Sequence, residues 1–194
     1  MGKSDERKFL GKITIPADKI LVTDPCYRLN NGNPSSLQLA VDHDPSRQIY
    51  CFYELSDEGI WGRRIRSISA VYSMDNKVTR GRESLGLVGV DSGQMGFFDF
   101  DRYTEIHDDE MDEYDDKDLS PYDSKCSSNF YVECCKKTLE SADYVGITQR
   151  INGFVSSSGF GDGMYEVYEL LDDNDALAGY SVIFIDDDDE EDYY

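Results

Sequence analysis

The sequence predicts a mainly β fold with a minor α component: an antiparallel β-rich sandwich or barrel-like domain with one packed helix. Three observations carry the prediction. Many short segments combine β-branched or aromatic residues with alternation, Gly, Pro, Asn and Asp punctuate them, and a single stretch reads as helix. In chain order, strands are expected at 9–15 (FLGKITI), 19–23 (KILVT), 48–55 (QIYCFYEL), 65–73 (IRSISAVYS), 85–91, 94–99, 144–150, 153–157, 164–171 and 179–185 (GYSVIFI). Residues 28–47, rich in Asn, Ser, Pro and Asp, are expected to form a long loop containing at most a short strand at 37–41. In 65–73, Ile65, Ser67, Ser69 and Val71 would share one face and Arg66, Ile68, Ala70 and Tyr72 the other, a mixed pattern that suits a strand covered on both sides. The helix is expected at 127–140, with Ser127 or Ser128 as N-cap and Phe130, Cys134 and Leu139 as its apolar stripe. The five prolines all fall near strand ends or in loops, where a missing N–H removes no ladder bond.

Charge sets the expected partners. Forty acidic against nineteen basic side chains leave a net charge of −21, which argues against direct binding to nucleic acid or an anionic membrane. The acid is segregated: residues 99–118 and 186–192 hold eighteen carboxylates against two basic residues, and the rest of the chain nets only −5. The expected organisation is one β-rich domain over 1–185, an acidic loop insertion at about 101–118, and an acidic disordered tail at 186–194. The N-terminal charges do not suit a secretory signal, no run is long enough to span a bilayer, and five cysteines without C-x-x-C spacing suit reduced thiols. The expected location is the cytoplasm of a bacterial cell or phage-infected host.

Three segments combine residue types that local structure alone does not require. In Thr23-Asp24-Pro25-Cys26-Tyr27, after the strand ILV, Asp24 can be a turn residue or an acid, base or ligand, with Cys26 and Tyr27 beside it. In Gly89-Val90-Asp91-Ser92-Gly93-Gln94-Met95-Gly96, a hairpin turn is one reading, and a ligand facing Asp91, Ser92 and Gln94 is the other. In Ser158-Gly159-Phe160-Gly161-Asp162-Gly163-Met164-Tyr165, alternate glycines specify a tight turn whose amides could cradle an anion. Convergence of Asp24, Asp91 and Asp162 would make an oxygen site for a divalent cation; no other cofactor is expected. Trp61 lies beside Arg63 and Arg64, and Arg63, Arg64, Arg66, Lys77, Arg80 and Arg82 concentrate the basic charge, a setting for a small anion.

Together these residues resemble a bacterial and phage family catalogued as domain of unknown function 4241. The resemblance rests on Asp24-Pro25, Gly89-Val90-Asp91-Ser92-Gly93 with Asp99, and Ser158 to Tyr165 before a closing strand ending Phe184-Ile185-Asp186, spanning about 19–186. The acidic insertion and tail depart from it. What the resemblance implies is a small β-rich cytosolic protein, with no established reaction to carry over.

The leading functional expectation is a non-enzymatic binding protein, an inhibitor, immunity or counter-defence factor in bacterial or phage conflict. It would bind a basic protein partner or sequester a small anionic ligand. One alternative is a small-molecule hydrolase or transferase using Asp24, Asp91 and Asp162. The other is an acidic mimic of DNA. Oligomeric state is left open by the sequence.

Overall fold

The computed structural model describes residues 7–29, 35–41, 48–74, 77–106 and 129–186. One sheet contains, in spatial order, β1 (Lys8–Thr14), β4 (Gln48–Asp57), β5 (Arg63–Val71), β11 (Leu177–Ile183), β10 (Gly163–Leu171) and β6 (Thr79–Val90). The other contains β3 (Leu37–Ala40), β2 (Lys19–Thr23), β7 (Gln94–Asp99), β9 (Gly153–Ser157) and β8 (Val145–Thr148). Every pairing is antiparallel, so the architecture is the expected sandwich, with two sheets in place of a barrel.

Alternation decides what each sheet buries. Ile49, Cys51, Tyr53 and Leu55 of β4, with Tyr180 and Val182 of β11, point from the six-stranded sheet into the main core. Ile20 and Val22 of β2, Met95 and Phe97 of β7 and Phe154 of β9 meet them from the other sheet, with Phe97 and Phe154 stacked at 5.3 Å. The opposite residues on β2, β7 and β9, namely Leu21, Phe98 and Val155, face outward and are covered by helices. Those helices are α1, spanning 100–106 of the described chain, and α2 (Phe130–Glu140). Tyr103 and Phe130 close on Phe98 at 5.6 and 5.3 Å, and a ring buried in this way contributes about 2 to 3 kcal/mol. Helices, five-stranded sheet and six-stranded sheet form three layers.

Five sequence expectations are corrected. β6 begins six residues before the expected 85, because Thr79 to Ser84 carry exposed polar side chains on an edge strand and lack apolar alternation. Strand 144–150 shortens to β8, after which the chain turns. In β5 the register shifts opposite Glu54 and Leu55, so Ile65 joins Ile68 and Ala70 in the core while Ser67 and Ser69 face outward. Residues 100–106, expected within an acidic loop, are helical: Asp99 Oδ1 accepts from Arg102 N at 3.0 Å and caps them, and Tyr103 is fully buried. Finally, Asn129 caps α2 by accepting from Tyr131 N and Val132 N, and the buried face is Phe130, Val132, Cys134, Cys135 and Thr138 while Leu139 is exposed. The remaining acidic stretch, 107–118, and the tail from 187 onward lie outside the described residues. No described helix is long and apolar enough to cross a membrane.

Candidate functional site

The three motif segments meet at one corner of the sandwich, and the chemistry that joins them is largely internal. Asp24, fully buried at the end of β2, accepts from Asp91 N at 2.8 Å and Ser92 N at 2.7 Å through Oδ2. Through Oδ1 it accepts from Ser92 Oγ at 2.6 Å and Cys26 N at 2.8 Å. A buried carboxylate needs such donors, and four of them leave Asp24 a clamp between β2 and the β6–β7 turn. Gly93 closes that turn at φ 68°, and its carbonyl accepts from Ser158 N at 3.1 Å. The second and third segments are thereby joined.

The glycine-rich turn turns its polar groups on itself. Ser158 Oγ donates to Gly161 O at 2.8 Å, Gly161 N donates to Ser158 O at 2.9 Å, and Tyr165 Oη lies 2.9 and 2.6 Å from the Ser158 and Gly161 carbonyl oxygens. Gly159 holds φ 57°, and a Cβ there would stand 2.9 Å from Phe184 Cβ. The amide of Ser158 is engaged by Gly93 and that of Gly161 by Ser158, so neither of these two is open to an anion. Asp162 is exposed, and Gly163 opens β10 opposite Val90.

The condition for a cation site, convergence of Asp24, Asp91 and Asp162, is not met. Asp24 touches Asp91 through its amide, while among the described residues no group of three His, Cys, Asp or Glu side chains could hold a metal ion. Burial first, then the Asp24 carboxylate, pushes the Cys26 thiol above its ordinary range, which withholds the thiolate a nucleophile needs. Burial and a hydrogen bond to Asp91 likewise raise the Tyr27 phenol. Gln94, expected to face a ligand, is buried between Cys135 Sγ at 3.5 Å and Thr138 Oγ1 at 3.2 Å and pins α2 to β7. Cys26, Cys51, Cys134 and Cys135 are free thiols.

Trp61 stands apart on the exposed 3₁₀ turn Gly59–Trp61 between β4 and β5. Arg63 lies 3.8 Å from Asp143, whose carboxyl is held below its ordinary range chiefly by the Tyr53 hydroxyl at 2.7 Å. The Arg64 guanidinium lies 6.0 Å from the Phe160 ring, linking this hairpin to the glycine-rich turn.

A cleft that sequence reading did not assemble lies on the outer face of the six-stranded sheet. Its strands carry serines where a covered face would carry bulk: Ser67 and Ser69 on β5, and Ser181 on β11 directly opposite Ser69. Small residues in mid-sheet leave a hollow, and long side chains from the flanks reach over it. Arg7, before β1, donates to Ser69 Oγ at 3.3 Å with its guanidinium 3.9 Å from the centroid of the Phe52 ring. Arg66 enters from the β5 bulge, and Arg80 from β6 on the far edge, over the Tyr168 ring at 4.8 Å. The resulting cavity is about 330 Å³ and also holds Glu54 and Asp186. Burial lowers the Arg7 guanidinium pKa below its usual value, and Glu54 works against that shift. Arg66 and Arg80 belong to the basic group visible in sequence; the alternating serines of β5 and β11 were the unused signal.

The chain belongs to the family described as a protein of unknown function (DUF4241), whose model matches residues 69–179. The match includes the Asp91 and Ser158 segments and Arg80; Asp24, Arg7, Arg66 and Asp186 lie outside it. No curated protein and no solved structure matches the chain.

Proposed function

We propose that this member of the family is a non-enzymatic binding protein whose ligand is a small organic anion, held by phosphate or carboxylate groups in the cleft of Arg7, Arg66 and Arg80. One observation carries the reading: Arg7, Arg66 and Arg80, from separate parts of a chain of net charge −21, line one serine-floored cavity of about 330 Å³. Guanidinium offers planar paired donors that match carboxylate and phosphate oxygens, serine hydroxyls add adaptable donors, and Val78, Leu170 and Ile183 supply apolar wall for an organic body. The motif corner then serves as frame: its carboxylate is saturated and its thiol is kept protonated, so it supports binding better than turnover.

Calorimetric titration of the full chain with adenosine monophosphate and with citrate tests the reading. At least one is expected to bind with a submillimolar Kd, weakened at least ten-fold by Arg66→Ala and unchanged by Trp61→Ala. Binding that ignores Arg66→Ala, or no binding by either anion, would sink it.

A second reading, docking of a basic protein or a DNA-binding enzyme on the acidic stretches, is favoured by the density of carboxylates in 101–118 and 186–194. It requires affinity that falls steeply with salt and disappears when those stretches are neutralised.

A further inference from the structure

The cleft carries both signs of charge. Glu54 on β4 and Asp186 after β11 line the same cavity as the arginines, and three guanidinium groups against two carboxylates leave its wall a net charge of +1. Two mixed pairs result. In one, Asp186 Oδ2 lies 2.8 Å from Arg80 Nη1. In the other, Glu54 Oε2 accepts from Ser67 Oγ at 3.2 Å, Arg7 donates to Ser69 Oγ at 3.3 Å, and the carboxylate and guanidinium attract each other. Ser67 and Ser69 lie two residues apart on the outer face of β5, so the anchors of this carboxylate and this guanidinium stand about 7 Å apart along the strand. Arg66 lines the cavity from β5, which lies between β4 and β6 in the sheet. A purely anionic ligand would meet repulsion from Glu54 here, whereas a ligand that also carries a cation turns the same carboxylate into a partner.

Resting on the anion-binding reading above, we infer that the ligand is a zwitterion of net negative charge, of the class of the acidic α-amino acids, with its ammonium group on Glu54, its α-carboxylate on Arg7 and its side-chain carboxylate on Arg66. An α-amino-acid head carries ammonium and carboxylate on one carbon. A span of about 7 Å between the anchors lets one such head, with a hydrogen bond at either side, reach both. One positive and two negative ligand groups bring the +1 of the wall to neutrality, while a tricarboxylate overshoots it and sets like charge against Glu54. Arg80, matched by Asp186, completes the far wall.

Calorimetric titration of the full chain with L-glutamate and with glutarate, the same diacid without its ammonium group, isolates the part played by Glu54. Wild type is expected to prefer L-glutamate by about ten-fold or more, and Glu54→Gln to cut that preference below about two-fold by weakening L-glutamate alone. The preference is a ratio taken within one protein, so a change in the folded fraction cancels from it. Equal affinities in the wild type would overturn the inference, and binding of citrate or adenosine monophosphate would then leave the cleft standing as an anion site. Tightening of both diacids to the same extent by Glu54→Gln would show a carboxylate that only offsets Arg7, and would overturn the inference too. If none of the four compounds binds, the cleft reading fails and the inference with it.

Discussion

Both carboxylate oxygens of Asp24 are taken by donors from this chain, three of them contributed by Asp91 and Ser92 across a separation of 67 and 68 residues. Asparagine would keep the shape and lose the arrangement, since its amide nitrogen would meet backbone N–H groups as donor against donor. Asp24→Asn is expected to lower stability by about 3 kcal/mol, the scale of charge-assisted bonds lost from a fully buried site. The urea midpoint should fall with little change in slope. A midpoint within error of wild type would mean that the clamp is dispensable. Sequence made Asp24 conspicuous but left its role open, because an Asp-Pro at a strand end looks the same whether the carboxylate faces a ligand or a turn 67 residues away. Serines 67, 69 and 181 were less conspicuous still, since a small polar residue announces a cavity only when its flanking arms are placed.

Among the elements, α1 shows how composition can hide structure. Phe100, Tyr103 and Ile106 recur at helical spacing after a capping Asp99, and all three belong to the outer core, but the surrounding acid made the stretch read as loop. The cap also carries strain of a particular kind. Asp99 Oδ1 accepts from Arg102 N, yet Oδ2 is buried without a hydrogen-bond partner, and burial raises the carboxyl above its ordinary value of 3.8. For a group whose folded pKa is raised, the stabilising share is complete below the unfolded pKa and is lost as pH rises through the folded one. Asp99→Asn keeps the capping acceptor and never ionises. Its stability relative to wild type should therefore improve between about pH 4 and pH 7, read as the difference in urea midpoints; a constant or declining difference would contradict the raised carboxyl. The bulge at Arg66 was hidden for another reason: alternation is legible in sequence, but the residue at which it slips depends on the partner strand.

Across the molecule, the strand map and the sandwich class followed from alternation and punctuation, whereas the cleft required knowing that β5 and β11 are neighbours and that β1 and β6 lie at opposite edges. Strand order is a long-range property, and local pattern does not encode it. Net charge acts at this scale as well. With −21 charges on 194 residues, self-repulsion opposes the compact state and is screened by salt. The urea midpoint should therefore rise between about 0.01 and 0.2 M sodium chloride, and a midpoint that is flat or falls would mean that local ion pairs such as Lys8–Asp143 dominate instead.

Arg7 and Asp186, near opposite ends of the sequence, line the same cavity. The wall of the cleft thus closes over almost the whole length of the described chain, a loop whose closure entropy has to be met before its contacts stabilise anything, so the cleft belongs to the last contacts that form on folding.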